Sequence, residues 1–595
     1  MKNTAIKEIT AKKIVIVGGV AGGMSAAARA RRLSEQSEII VFERTAHVSY
    51  ANCGLPYYLG GEIKSQAKLL VATPQDLKDK FNLDIRVKHE VIAINKEAKT
   101  VTVRDIAAGR DYQESYDDLI LSVGAAALRP DIPGIDGPGR FVLRTIEDVA
   151  NIENWIEQQK PSTAVIAGGG FIGLEMAEQL TKRGMAVTLV DNKEQVLSPI
   201  DIEMAALVHS ELKKHGVKLL LGKPIVGFSQ AEKYQAHEGS KPKSCWVHAG
   251  NEAPVAADLV ILGMGVRAET TLAKQAGLTI GERGGIRVDS KLQSSAANIW
   301  AVGDAIEVLN PISQNWTLIA LGGPANRQGR LVAENILGAK KNYQGTIGTA
   351  ILRIFDITVA TVGLNQNQLI NSGRAFEALH LHPTNHASYY PGATRLDIKV
   401  LFDPASGQLL GAQIVGQEGV DKRIDVFATA IKAGMTMRDL AELELAYAPP
   451  FGSAKDPINL TGMAATNILD GLISQVQWQE IGLLKDSESC IVDVRTDGER
   501  ERGYIPGSKH IPLQKLRQRY HELPKDRMII TYCQSGQRSY NASRFLQQHG
   551  YTVKNLSGGY LTWHAAQSLS DDKIDSPEPN LACLSQSDCS AGATK

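Results

Sequence analysis

The chain has 595 residues, too many for one hydrophobic core, so roughly four domains are expected. Hydrophobic residues make up 43% and charged residues 22%, a balance that excludes wholesale disorder. The net charge of +1 offers no general field for nucleic acid or an anionic membrane. No apolar run reaches the roughly eighteen residues of a spanning helix, and the first residues carry no secretion signal, so a cytoplasmic protein is expected. The six cysteines, Cys53, Cys245, Cys490, Cys533, Cys583 and Cys589, lack paired CxxC spacing, and no metal site is expected.

In chain order, "KIVIV" (13–17), "GGVAGG" and the alanine-rich "MSAAARARRLSE" predict strand, turn and helix. The next strand, "SEIIVFE", ends at Glu43, near the separation at which an acid follows a dinucleotide-binding glycine loop. Gly18 and Gly23 take the first and third glycine positions of that loop, with Val20 in the middle one. "SYANCGLPYYLGG" (49–61) then holds one cysteine, Cys53. A helix beginning after it is expected to aim its amides at the sulfur and lower its pKa.

The strand–glycine–helix pattern repeats with Gly168, Gly170 and Gly173 in strict GxGxxG spacing, and its second strand stops at Asp191. Backbone amides at such a helix start can approach a pyrophosphate. An acid at 191 accepts from a ribose 2′-hydroxyl and repels a 2′-phosphate, so NADH is expected over NADPH. The stretches "LILSVGA" (119–125), "DLVILGMGVRAE" (258–269) and "IWAVGDAIEV" (299–308) are strands running into glycines. From about residue 341, strand-like "TVATVGL", "RLDIKVLFD" and "LLGAQIVG" precede a helical "DVFATAIKAGMTMRDLAEL", an α+β mixture. A fourth section opens near "LISQVQWQE" (472–480), and the end, from Asp571, has the Ser, Asp and Pro content of a mobile tail.

The order of these motifs resembles the two-dinucleotide flavoprotein disulfide reductase family. The resemblance implies an α/β architecture of two Rossmann-like domains. FAD would occupy 11–145 and 258–340, NADH the inserted 146–257, and an α+β dimerisation domain 341–470 would make a homodimer. It assigns Gly18, Gly19, Ala21, Gly22, Gly23, Glu43, Arg44, Gly303 and Asp304 to FAD, and Gly168, Gly170, Gly173 and Asp191 to NADH.

Within that family, Ser49 to Tyr57 resembles the single-cysteine motif of coenzyme A disulfide reductases, in which the second sulfur arrives with the substrate. Relatives that reduce peroxide carry a histidine where Ala21 stands, and losing that imidazole removes a polar partner for an oxygenated sulfur. The resemblance implies coenzyme A contacts at Ser25, Arg29, Arg32, Ser49, Asn52, Arg327 and Lys455. Arg29 and Arg32 share a helix face by their spacing. It also implies that Tyr389 and Tyr447 of a partner subunit act as acids at the reactive cysteine, with Tyr390 as the alternative register.

Residues 474–570 resemble the rhodanese family through Asp493, Arg495, "GSKHIP", "SGGYLTW" and the loop "CQSGQRS". Successive amides from Cys533 to Arg538 would cradle a thiolate or persulfide, with Arg538 adding charge at the rim. Cys533 is therefore expected to carry sulfane sulfur. Taken together, the motifs resemble the NADH-dependent persulfide reductase group and imply reduction of a coenzyme A persulfide, polysulfide or disulfide. An NADH oxidase or peroxidase, and a flavin redox sensor whose rhodanese module docks a partner, are the alternatives.

Overall fold

The computed structural model describes residues 10–230 and 245–568; the expected tail at 571–595, with Cys583 and Cys589, lies outside them. The chain packs as two units. The first is formed by the chain up to Glu194 and by Gly216–Gly348, the second by Gln195–His215 and the chain from Thr349 onward.

The first unit holds two parallel five-stranded sheets. Strands β1 (Lys13–Val17), β2 (Glu38–Glu43), β3 (Asp84–Val87), β4 (Asp118–Leu121) and the later Ile299–Ala301 form one, in the order Ile299–Ala301, β4, β1, β2, β3. Its strands read as β-branched and leucine runs because both faces are covered; Ile14, Val15, Ile16, Ile40 and Leu119 are fully buried. Helix α1 (Ala21–Leu33) follows β1, and its small residues let the helix Gly322–Ile336 approach, so that a Cβ at Gly329 would lie 2.1 Å from the Gly22 carbonyl oxygen. A short helix, α2 (Leu55–Leu59), follows Cys53.

The second sheet of this unit contains β5 (Arg140–Phe141), β6 (Thr163–Ala167), β7 (Ala186–Val190), β8 (Lys218–Leu220) and β9 (Leu259–Leu262), in the order β8, β7, β6, β9, β5. Helix α3 (Phe171–Lys182) leaves β6 as α1 leaves β1. Both glycine loops therefore sit at the carboxyl end of a central strand, where parallel α/β sheets bind ligands.

In the second unit, β10 (Ala350–Ile354), β11 (Ile357–Gly363), β12 (Glu377–Leu381), β13 (Leu396–Phe402) and β14 (Leu409–Gly416) make an antiparallel sheet ordered β10, β11, β14, β13, β12. The helical stretch expected after it breaks at Gly434, which adopts φ +70, into Val420–Ala433 and Met437–Glu442. Helix Ile202–Lys214 falls within the 146–257 span but packs in this unit, because the Lys399 ammonium on β13 bonds Asp201 at 2.9 Å and also Glu203. Gln413 on β14 accepts from the Asp201 amide and donates back to its carboxylate, both at 2.7 Å.

A third parallel sheet completes the unit: β15 (Ser474–Val476), β16 (Ser489–Asp493), β17 (Lys509–His510), β18 (Met528–Tyr532) and β19 (Val553–Leu556), in the order β15, β19, β18, β16, β17. Cys533 follows β18, and helix α4 (Gln537–Gln548) starts four residues later. Among the described residues, no helix is long and apolar enough to cross a membrane.

Candidate redox and sulfur-transfer sites

The two glycine loops are built alike. Gly18 and Gly168 have φ of +101 and +107, and a Cβ on Gly23 or Gly173 would lie 1.9 Å from the Gly18 or Gly168 carbonyl oxygen. Only glycine permits either the turn or the contact. In each loop an amide donates to the acid that ends the neighbouring strand: Gly19 N to Glu43 Oε2 at 2.9 Å, Gly169 N to Asp191 Oδ2 at 2.6 Å. Thr45 also donates to Glu43, and Lys193 N to Asp191 Oδ1. Around Gly170 nothing lies within 4 Å of a Cβ position, so the backbone there is open to approach.

Ser49 donates its amide to the Gly19 carbonyl at 2.8 Å and sits at φ +48, a left-handed conformation uncommon for serine. Ala51 N and Val71 N then tie the loop to Leu69 and Ser49. This staple presents Cys53, an exposed free thiol, close enough to feel both Asp304, which follows the Ile299–Ala301 strand, and Glu175 on α3. The structure thus groups Cys53, Gly19, Ser49 and Asp304. Arg144 reaches the Asp304 carboxylate at 3.3 Å, and the Gly303 amide donates to Gln328.

The expectation of a lowered Cys53 pKa is not met. The following helix has only five residues, too short for a substantial dipole. Desolvation, then the Glu175 and Asp304 charges, push the thiol up instead.

Glu175 was not singled out by sequence. It lies two residues past Gly173 and accepts at 3.1 Å from the hydroxyl of Tyr57, a residue four positions after Cys53. Burial, reinforced by Glu178 and opposed by Tyr57, raises its carboxyl to about 7.

The expected coenzyme A contacts divide. Ser25 and Asn326 share a hydrogen bond of 2.7 Å, while Asn52 and Arg327 are exposed in the first unit and Lys455 in the second. Arg29 is already paired: its Nε and Nη2 donate to Glu334 at 2.9 and 2.6 Å. Arg32 is exposed and lies over the Phe81 ring at 5.6 Å. Arg31, between them, is buried and donates to four backbone carbonyls, which makes it a structural clamp. Arg44 is exposed beside Glu43.

In the second unit the Tyr389 and Tyr447 hydroxyls are 3.2 Å apart and both side chains are exposed; Tyr390 packs edge-on to His386.

Cys533 is fully buried at the foot of its loop, with its sulfur accepting from Gly536 N at 3.2 Å and Ser539 Oγ at 3.5 Å. Gly559 closes the opposite wall: it has φ +62, and a Cβ there would meet the Cys533 carbonyl at 2.4 Å. Beneath the loop, buried Arg495 bonds Asp493, Gln534 and the Gly503 carbonyl and lies 4.2 Å from the Tyr560 ring centre. Arg538, expected as rim charge, faces the Cys533 sulfur and is also paired with a carboxylate: Nη1 and Nη2 bond Glu499 at 2.8 and 2.5 Å. Against the upward push of its burial, Arg538 and Thr496 hold Glu499 at about 2.

One trio among the described residues, Glu211, His215 and Asp356, brings three possible metal-ligand atoms within 4.8 Å of one another. Lys214 already bonds both carboxylates, and His215 stacks on Phe355, so the trio is an ion-pair cluster.

The family comparisons agree with this arrangement. A model described as pyridine nucleotide-disulphide oxidoreductase matches residues 12–329, the corresponding dimerisation domain matches 349–456, and a rhodanese-like domain matches 478–566. The chain is 34% identical over 458 residues to coenzyme A disulfide reductase of Staphylococcus haemolyticus, covering 77% of this chain and 100% of that protein. The reduced Bacillus anthracis CoADR-RHD crystal structure superposes with a TM-score of 0.91 at 47% identity, over 94% of this chain and 99% of that one. An NAD-dependent persulfide reductase from A. fulgidus gives a TM-score of 0.85 at 34% identity, over 93% and 100%. The chain belongs to the pyridine nucleotide-disulphide oxidoreductase family of flavoprotein enzymes and carries, in addition, a rhodanese-like domain.

Proposed function

We propose that this chain reduces the sulfur–sulfur bond of a coenzyme A persulfide, polysulfide or disulfide at Cys53, using NADH and FAD, while Cys533 accepts and passes on sulfane sulfur. The observation that carries the reading is the pairing of two separate single-thiol sites. Cys53 is a free thiol stapled to the first glycine loop, and Cys533 is a free thiol whose sulfur accepts from Gly536 N and Ser539 Oγ. Its relatives, a coenzyme A disulfide reductase and a persulfide reductase, support the substrate class.

The cofactor sites fit the residues present. The Gly18–Gly23 loop, Glu43, Gly303 and Asp304 would hold FAD, and the open backbone at Gly170 with Asp191 would hold NADH; each acid keeps lone pairs beyond those its loop amides use. When bound, the flavin supplies two electrons taken as a hydride from the nicotinamide. The protein's part is to hold the sulfur. The Cys53 thiolate attacks the inner sulfur of coenzyme A persulfide, forming the mixed disulfide and expelling hydrosulfide; two electrons and one proton then restore the Cys53 thiolate and release the coenzyme A thiol. With coenzyme A disulfide the same attack expels the coenzyme A thiolate. Asp191 supports NADH over NADPH by repelling a 2′-phosphate.

The same reading makes the chain a cytoplasmic homodimer, supported in its second part by the dimerisation-domain match. Rapid mixing of Cys53→Ser with NADH tests it: flavin bleaching should persist while sulfide release from coenzyme A persulfide stops. Retained sulfide release would refute the role of Cys53.

A further inference from the structure

The loop Cys533–Ser539 contains one charged residue, Arg538. Its guanidinium faces the Cys533 sulfur and is gripped at both Nη atoms by Glu499. Glu499 is itself fixed from the other side: Thr496 donates its amide and hydroxyl to Oε2, each at 2.9 Å. The acid is therefore ionised, buried and unable to swing away. The deeper guanidinium groups share one carboxylate, Asp493, which takes Arg495 at 2.8 Å and Arg500 at 3.3 Å.

The geometry points to Glu499 as a specificity residue: by holding the loop's only cation in a bidentate pair, it suits the Cys533 cradle to a singly charged persulfide, R–S–S⁻, and disfavours the thiosulfate dianion. This rests on the reading of Cys533 as a sulfane acceptor. The two donors react by the same exchange. The Cys533 thiolate attacks the outer sulfur, a Cys533 persulfide forms, and the leaving group is either the thiolate R–S⁻ or sulfite. They differ in the charge that must approach. A dianion entering beside an ionised glutamate needs an uncommitted cation to offset it, and Arg538 is already shared between Glu499 and the Cys533 sulfur. A persulfide places a single negative charge at the reacting end, with any charge on R held away from the sulfur, and Gly536 N and Ser539 Oγ can receive it.

The test uses the full chain without NADH, so that nothing reduces the loaded sulfur, and follows one-sulfur addition on the Cys533 peptide by mass spectrometry. The probes are N-acetylcysteamine persulfide and sodium thiosulfate. The native protein should load about tenfold or more faster from the persulfide. Glu499→Gln releases Arg538 and should speed loading from thiosulfate by about tenfold, with little change for the persulfide. Glu499→Asp keeps the charge and should keep the native preference.

Equal use of both donors by the native protein, or no thiosulfate gain in a Glu499→Gln protein that melts like the native one, overturns the inference. So does a similar gain in Glu499→Asp, which would mean that packing sets the preference. If Glu499→Gln does not fold, Arg538→Gln decides. Glu499 then stands unopposed, so thiosulfate loading should fall further than persulfide loading, and an equal fall is a negative result. Absence of sulfur on Cys533 from either donor would instead sink the underlying reading of that residue.

Discussion

The hydroxyls of Tyr389 and Tyr447, 58 positions apart in sequence, lie 3.2 Å from one another on exposed segments of the second unit. The hydrogen bond shared with Tyr447 raises the pKa of Tyr389. Two phenols sharing a hydrogen bond act as a unit, one orienting and polarising the other. Tyr389→Phe and Tyr447→Phe should each lower kcat for coenzyme A disulfide reduction by about 10²-fold. The double variant should be little worse than either single one. Steady-state kinetics decide: unchanged kcat in both single variants reduces the pair to surface packing.

Glu175 sets a pH dependence on Cys53. Its carboxyl sits near 7, so it is largely neutral below that value and charged above it. The charged form opposes the thiolate, and Glu175→Gln removes that opposition at every pH. The midpoint of Cys53 alkylation by iodoacetamide in the holoenzyme should therefore fall by about half a pH unit or more in the variant. A midpoint that stays put or rises would separate the two groups electrostatically.

What was legible in the sequence is what local chemistry writes into contiguous residues. The glycine loops, the acids closing their second strands, Cys53 and the Cys533 loop all announce themselves within a few positions, because turn geometry and anion cradles need particular residues at fixed spacing. What was missed is set by partners far along the chain. Arg29 looks free on its helix face until Glu334 closes on it from 305 positions away, and Glu175 becomes a participant only because Tyr57 arrives from 118 positions away. Arg538 reads as rim charge, and what the sequence does not show is that Glu499, 39 positions earlier, also pairs with it. The helix expected after Cys53 does form, but its single turn cannot supply the pKa shift that a full helix would.

A buried charge network joins the rhodanese-like fold to the antiparallel sheet within the second unit. His380 on β12 meets Ser557 Oγ through Nδ1 at 3.2 Å and Glu203 through Nε2 at 2.9 Å; Lys399 bonds Glu203 from β13. Removing Lys399 strands two buried carboxylates, so Lys399→Met should cost about 3 kcal/mol or more. Burial lowers the His380 pKa below its ordinary 6.5 despite Glu203. The folded state then binds fewer protons there than the unfolded chain. The corresponding stability is present above 6.5 and lost as pH falls below it. Thermal melts between about pH 5 and 8 should show a steeper acid-side loss in the native protein than in His380→Gln; parallel curves would exclude His380 as the source.

Ser557 also begins the wall that Gly558 and Gly559 build against the Cys533 loop, where Tyr560 N donates to the Cys533 carbonyl at 2.8 Å and Leu561 N to Gln534 at 3.0 Å. Gly559 has no room for a side chain, since its Cβ would lie 2.4 Å from the Cys533 carbonyl and 2.9 Å from Gly536 N, the amide that bonds the sulfur. Gly559→Ala therefore forces the loop outward and displaces that amide, besides straining a positive φ. Sulfur loading on Cys533 should fall by about 10²-fold, while NADH bleaching of the flavin continues at the native rate because the reductase fold is untouched. Loading at the native rate would show that the loop tolerates displacement and that Gly536 N does not hold the sulfur during transfer.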